Sequence, residues 1–117
     1  MKRFLSTIAA SILFSFSAAQ AHTHLTASNP ADGAVLASAP KELMLHFSEA
    51  TRLTAVTIQK EGDKEPKAIA SLPKAATEHV TLAVDQLAPG KYNVEWRAVG
   101  ADNHVMKGQL HFTVEGK

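Results

Sequence analysis

Apolar and polar residues alternate along much of the chain after residue 41, which is the pattern of β-strands with one buried face. The clearest segments are Glu42–Phe47, Thr54–Gln59, His79–Val84, Lys91–Val99 and Gln109–Val114. Leu25–Ala27 and Ala68–Leu72 are shorter strand candidates, and Ala34–Pro40 is expected to form a loop or irregular edge. No segment has a convincing helical period. About seven short strands separated by turns predict an all-β sandwich of Greek-key or immunoglobulin-like character.

The last strands carry the strongest predicted core. Alternation assigns one buried face to each of them, made of Tyr92, Val94, Trp96, Ala98, Leu110, Phe112 and Val114. The segment Leu87–Tyr92 resembles a tyrosine corner, in which a tyrosine at the start of a late strand bonds back to upstream backbone.

The first 21 residues have the pattern of a secretory signal peptide. Lys2 and Arg3 precede a mostly apolar run over Phe4–Phe16, and Ala19-Gln20-Ala21 is a small-residue cleavage site. The apolar run is shorter than the roughly 20 residues that a membrane-spanning helix needs. We therefore expect residues 1–21 to be removed on export and residues 22–117 to form one soluble domain.

Composition excludes several classes of partner and site. Removing Lys2 and Arg3 leaves 10 of the 12 basic residues against 11 acidic ones, a net charge of about −1, which disfavours nucleic acid and anionic membrane surfaces. The chain has no cysteine, so neither disulfides nor thiolate ligands are available. Metal ligands must therefore be His, Asp, Glu or an amine, a set that suits divalent copper or zinc.

Cleavage after Ala21 would make His22 the N-terminal residue, with an amine and an imidazole that can chelate one ion together. Asp102 and His104 lie in the predicted turn between the last two strands, and alternate residues of an extended segment point the same way. Three nitrogens and one carboxylate oxygen in a plane suit Cu(II). A lone Asp-x-His triplet, however, is more often a solvated turn.

A second Cu(II) mode uses the same amine. A histidine at the third position, here His24, can complete a square plane with the terminal amine and two deprotonated backbone amides. The two modes compete, and an ordinary flexible terminus that binds no metal is the simpler alternative. His46, His79 and His111 are expected to be structural or solvent-facing, with a weak zinc or copper site among them as the less favoured alternative.

Several motifs together resemble the CopC/PcoC family of periplasmic copper-binding proteins. They are HTHL at 22–25, SNPADG at 28–33, LHFSE at 45–49, LAPGKYNVEWRAV at 87–99, ADNH at 101–104 and GQLHFTV at 108–114. The resemblance covers essentially all of residues 22–117.

The resemblance implies a β-sandwich that holds one Cu(II) ion through a histidine brace. By position, His22 would supply amine and imidazole, Asp102 and His104 would complete the plane, and Glu49 and His24 would be axial or outer partners. It implies a periplasmic protein, expected as a monomer, that sequesters copper or delivers it to an inner-membrane copper transport protein, and so contributes to copper tolerance or homeostasis.

Some members of the family carry a methionine-rich Cu(I) loop, which this chain lacks. Met1 leaves with the signal peptide, and Met44 and Met106 are far apart in sequence. We therefore expect a Cu(II)-only protein. Asp102 would occupy the equatorial position that a brace-type oxygenase leaves open for oxygen, so we also expect the protein not to be an enzyme. The competing hypotheses are a brace-type copper redox enzyme and an immunoglobulin-like interaction module whose terminal histidines are incidental.

Overall fold

The computed structural model describes residues 24–116, and every regular element in that range is a β-strand. The strands are β1 (Leu25–Asn29), β2 (Ala34–Leu36), β3 (Glu42–Lys60), β4 (Lys67–Ala68), β5 (Thr77–Ala83), β6 (Gly90–Gly100) and β7 (Val105–Val114). Within these residues there is no helix long and apolar enough to cross a membrane. The predicted all-β class and the number of strands are confirmed.

The long strand β3 belongs to both layers of the sandwich. Its first half lies between β1 and β5, and its second half lies between β6 and β4. Around residues 48–50 the side chains are exposed on three successive positions and the pairing with β5 is irregular. The alternation of apolar and polar residues predicts two strands here, Glu42–Phe47 and Thr54–Gln59. That division was wrong because the backbone stays extended where the alternation is lost.

The remaining strands complete the sandwich along the order β1-β3-β6-β7-β2. β2 pairs in parallel with the end of β7, so the loop expected over Ala34–Pro40 is replaced at its start by a short strand. β7 begins at Val105 and not at Gln109, because its first residues pair with β6 although the sequence Val105-Met106-Lys107-Gly108 does not alternate apolar with polar residues. β4 is restricted to two residues, fewer than predicted for Ala68–Leu72.

One apolar core fills the space between the layers. It contains the whole predicted set from β6 and β7 and is completed by Leu43, Leu45, Phe47, Leu53, Val56, Ile58, Val80 and Leu82. Phe47 meets Trp96 edge to face with ring centroids 5.3 Å apart, and Tyr92 stacks on Phe112 at the same separation. The Tyr92 hydroxyl donates a 2.5 Å hydrogen bond to the Ala88 carbonyl, which confirms the predicted tyrosine corner.

Candidate metal centre

The turn between β6 and β7 holds two of the predicted ligands. Asn103 N–H donates to the Gly100 carbonyl and Gly100 N–H donates to the His104 carbonyl, each at 3.0 Å. Asn103 has φ = 63°, a left-handed conformation that asparagine tolerates better than most residues. These features make a three-residue hairpin loop in which a turn is followed by one left-handed residue. The reversal places Asp102 and His104 on the same side of the loop.

The side chains of Asp102 and His104 are in direct contact. Nδ1 of His104 lies 2.5 Å from Oδ2 of Asp102, and the His104 backbone N–H donates to Oδ1 at 3.2 Å. Both side chains are largely exposed, at 75% for His104 and 54% for Asp102. The side-chain hydrogen bond from His104, followed by the backbone one, lowers the pKa of Asp102. The carboxylate is therefore ionised at neutral pH.

This contact orients the imidazole for an external ligand. With Nδ1 of His104 directed at the carboxylate, Nε2 is the ring nitrogen that points away from it. A carboxylate bonded to the second nitrogen of a ligating histidine fixes the tautomer and ring orientation in many metal sites. Asp102 is thus placed either to hold His104 or to bind an ion beside it.

The first described residue, His24, lies beside the middle of β3. Ser48 N–H donates to the His24 carbonyl at 2.9 Å, and His24 N–H donates to Ser48 Oγ at 3.0 Å. Glu49 follows Ser48, and its carbonyl accepts a 2.8 Å hydrogen bond from Thr51 Oγ1. Thr51 is completely buried and pairs with Gly100 at the start of the β6–β7 turn. β-Pairing therefore brings His24 and Glu49 to the same end of the sandwich as Asp102 and His104.

The predicted ligand set is only partly within the described range. His22 lies outside it, so the combination of His22, Asp102 and His104 stays a prediction. Across residues 24–116, no three His, Cys, Asp or Glu side chains lie close enough together to hold a metal ion. The proximity of Asp102 and His104 is observed, and their role as ligands is still an expectation.

Sequence reasoning missed one contact between potential ligands. His46 and His79 were expected to be structural or solvent-facing, with a weak zinc or copper site as the less favoured alternative, and their Nδ1 atoms are 2.6 Å apart. The two residues are 33 positions apart in the chain and become neighbours because β3 pairs with β5. No local motif carries that information, and only a correct strand pairing could have revealed it.

The two methionines after the predicted signal peptide lie in different surroundings. Met106, on β7, packs against the apolar core, and Met44, on β3, pairs with Asn29 and Thr81. Met106 is paired with Ala98 on β6, so the residues paired with the two methionines lie on different strands.

The family model of the CopC domain matches residues 25–115. The chain belongs to the CopC family. Among its relatives, Protein YobA of Escherichia coli K12 is 34% identical over 100 residues, covering 81% of this chain and 80% of that protein. Copper resistance protein C of Pseudomonas syringae pv. tomato is 32% identical over 121 residues, covering 96% and 94%.

Solved structures of CopC-family proteins share the fold. PcoC, described as a methionine-rich copper resistance protein from Escherichia coli, superposes with a TM-score of 0.56 at 31% identity, covering 81% of this chain and all of that one. CopC from Methylosinus trichosporium OB3b has a TM-score of 0.67 at 24% identity, covering 81% and 95%. The agreement supports the β-sandwich architecture of this CopC-family chain.

Proposed function

We propose that this CopC-family protein binds one Cu(II) ion at the end of the sandwich where the β6–β7 turn meets the start of the chain. The observation that carries the proposal is the contact between Asp102 and His104. It supplies an ionised carboxylate and an oriented imidazole on one exposed loop. These are the oxygen and nitrogen donors that Cu(II) favours.

The remaining donors are proposed to come from the mature N-terminus. His24 is anchored to Ser48, and Thr51, beside the turn, is three positions further along β3, or about 10 Å of strand. His22 is two positions before His24, a step that spans up to about 7 Å when extended. This span together with the lengths of the His22 and His104 side chains is comparable with that separation, so a terminal amine and imidazole at His22 would be able to approach the turn once residues 1–21 are removed.

In this arrangement His22 contributes the amine and one imidazole, and His104 contributes the second imidazole. Asp102 contributes the carboxylate oxygen to the plane. Glu49 and His24, which β-pairing holds at the same end of the molecule, are proposed as axial or outer partners. The donor count of three nitrogens and one oxygen matches the tetragonal preference of Cu(II).

The proposed cargo is Cu(II) and not Cu(I). Thioether ligands favour Cu(I), and this chain has only three methionines, including Met1. Met44 is paired with residues of β1 and β5, whereas Met106 is paired with a residue of β6. The relative PcoC is described as methionine-rich, and this chain is not.

We further propose that the protein is exported to the periplasm, where it acts as a carrier or store of copper without catalysing a reaction. The basic, apolar and small-residue pattern of residues 1–21 supports export. Relatives named copper resistance protein C support a role in copper tolerance. Delivery to an inner-membrane copper transport protein would follow from a site that lies at an exposed end of the domain.

The experiment compares three proteins by competition for Cu(II) with a chelator of known affinity: the protein beginning at His22, a form that keeps Ala21 before His22, and the His104→Ala variant. Mass spectrometry first establishes the N-terminus of the exported protein. We expect the form with Ala21 and His104→Ala each to lose most of the Cu(II) affinity. Electron spin resonance should show altered nitrogen coupling in both.

The flexible-tail mode gives a different result. If Cu(II) were held by the amine, two backbone amides and His24, then His24→Ala would remove the affinity and His104→Ala would leave affinity and spectrum unchanged. That outcome would overturn the brace. Lack of tight Cu(II) binding by all forms would contradict the copper function itself, and vigorous peroxide turnover after reduction with ascorbate would contradict a simple carrier.

A further inference from the structure

A pair of histidines lies on the outer face of the β1-β3-β5 layer. His46 and His79 are directly opposite each other on antiparallel β3 and β5. Their neighbours on each strand, Leu45 and Phe47 on β3 and Val80 on β5, are buried in the core. Because side chains alternate between the faces of a sheet, both imidazoles project outward. His46 is half-buried and His79 is exposed, so solvent can reach the pair.

The two rings are arranged so that their Nδ1 atoms meet. The ring centroids are 4.5 Å apart, the ring planes make an angle of 72°, and the Nδ1 atoms are separated by 2.6 Å. In a hydrogen bond at this distance, one ring donates its Nδ1 proton to the lone pair of the other. When that proton leaves, both Nδ1 atoms carry a free lone pair, and small rotations of the two rings can direct both lone pairs at one metal ion.

The distance between the two Nδ1 atoms can be compared with the nitrogen–nitrogen distances in square-planar and tetrahedral coordination. Metal–imidazole bonds are about 2.0–2.1 Å long, so two nitrogens at 90° around a metal are about 2.9 Å apart. A tetrahedral angle requires about 3.3 Å. The observed 2.6 Å is a hydrogen-bond distance, so the nitrogens must separate by about 0.3 Å for a 90° angle and by about 0.7 Å for a tetrahedral one, and the square plane requires the smaller movement. Cu(II) prefers tetragonal nitrogen sites and also binds such ligands more tightly than Zn(II).

The backbone on both sides of the pair is held by hydrogen bonds. Thr26 Oγ1 donates to the His46 carbonyl at 3.0 Å, and Thr77 Oγ1 donates to the His79 carbonyl at 3.0 Å. β3 is flanked by a strand on each side at this position. Two ligands fixed on adjacent strands lose little freedom when they bind an ion, which favours chelation.

We propose that His46 and His79 form a second, two-histidine site for a divalent transition metal ion, with Cu(II) as its preferred occupant and water completing the coordination. The site uses neither His22 nor the Asp102–His104 turn and lies three residues before Glu49 on β3, about 10 Å along the strand. With only two protein ligands it holds copper more weakly than a four-donor centre. Because the site is open to solvent, we expect the bound ion to exchange rapidly.

The test isolates the pair from the other candidate ligands. The chain has six histidines. A background protein with His22→Ala, His24→Ala and His104→Ala keeps only His46, His79 and His111. Titration of the exported background protein with Cu(II) should give one bound ion per chain and an electron spin resonance spectrum with coupling to two imidazole nitrogens. Adding His79→Ala to this background should weaken Cu(II) binding at least tenfold.

His111→Ala in the same background is the matched control, because His111 is also an exposed histidine on a strand. It should leave the titration unchanged. Nuclear magnetic resonance of the background protein needs no further substitution: Cu(II) should selectively broaden the signals of His46, His79 and their strand neighbours. No Cu(II) binding by the background, or equal weakening by His111→Ala and His79→Ala, would overturn the proposed site.

These outcomes are distinct from those of the proposed function. The brace can fail while the background protein still binds one Cu(II), and the second site can fail while His104→Ala still abolishes tight binding. A lower melting temperature in His79→Ala without any change in Cu(II) binding would show that the pair serves only stability, and would also overturn the site.

Discussion

The indole ring of Trp96 lies directly over Gly108, its partner on the neighbouring strand. A Cβ at position 108 would come within 2.5 Å of Trp96 Cζ2 and within 2.8 Å of its Nε1. Trp96 is buried and also meets Phe47 edge to face, so the ring cannot move freely away from Gly108. The absence of a side chain at position 108 is therefore a packing requirement of the core.

Gly108→Ala should consequently destabilise the fold by about 1–3 kcal/mol, the usual cost of overfilling a packed site. Chemical denaturation followed by the fluorescence of Trp96, the only tryptophan, measures the change. Lys107→Ala, at the exposed neighbouring position, is the control and should stay within about 0.5 kcal/mol of the wild type. Equal stability of Gly108→Ala and the wild type would contradict the close contact.

Thr51 should matter through its hydroxyl group. It is completely buried, and its Oγ1 donates to the Glu49 carbonyl where β3 exchanges β5 for β6 as its partner. Thr51→Val keeps the shape but leaves that carbonyl without its bond, so we expect a loss of about 1–2 kcal/mol in the free energy of unfolding. Thr51→Ser keeps the hydroxyl and should lose less. A larger loss in Thr51→Ser would assign the role to the methyl group.

Alkaline pH should destabilise the protein through Tyr92. Burial, followed by the negative charge of Asp63, raises the pKa of Tyr92 above 10.0. The folded state therefore favours the neutral phenol. The resulting stability is complete below about pH 10 and is lost as the pH rises from the unfolded-state pKa through the higher folded-state pKa.

Tyr92 is the only tyrosine, so phenolate absorbance follows this group alone. The titration midpoint of the folded protein should lie above that of the denatured protein. Tyr92→Phe keeps the stack on Phe112 but loses the bond to the Ala88 carbonyl, at a cost of about 1 kcal/mol at neutral pH. Because phenylalanine does not ionise, Tyr92→Phe should also lose less stability than the wild type at alkaline pH. Coincident midpoints for folded and denatured protein would refute the shift.

Cu(II) affinity at the proposed brace should decrease steeply in acid. The amine, with a reference pKa of about 7.7–8.0, must lose its proton to bind, and a metal ion competes with protons for both imidazoles. Chelator competition between pH 5.5 and 8, corrected for protonation of the chelator, measures the slope. His104→Ala should show a shallower dependence because one fewer proton is released. An unchanged slope in that variant would argue against His104 as a ligand.

Asp102 has two candidate roles that substitution can separate. Asp102→Asn keeps an oxygen that can accept a hydrogen bond from His104 but removes the charge, and Asp102→Ala removes both. If the carboxylate binds Cu(II) directly, as proposed, both variants should weaken binding at least tenfold and change the spin resonance parameters. Near wild-type binding by Asp102→Asn alone would show that Asp102 only orients His104.

Much of the fold follows from local sequence pattern. The alternation in β6 and β7 correctly gave the buried set from Tyr92 to Val114, because a strand with one face in the core must repeat every second residue. The tyrosine corner was equally local, since Tyr92 and its partner Ala88 are four residues apart. Membership of the CopC family was likewise contained in motifs along the chain.

The strands that were predicted wrongly are those whose extended conformation depends on hydrogen bonds to a neighbouring strand. Ala34–Leu36 is extended because β7 offers it hydrogen bonds, and a three-residue strand has no period to recognise. β3 runs without interruption through Ser48 and Glu49 because it passes from one layer to the other, where the rule of one buried face does not hold.

For the metal chemistry, the potential ligands can be read from the sequence: six histidines, no cysteine, and an Asp-x-His triplet. Which of these side chains come into contact depends on the fold. The left-handed Asn103 turns Asp102 onto His104, and the β3–β5 register places His46 against His79 although 33 residues separate them. Donor chemistry is a property of individual side chains, whereas a site requires distances of about 3 Å, and only the folded backbone sets those distances.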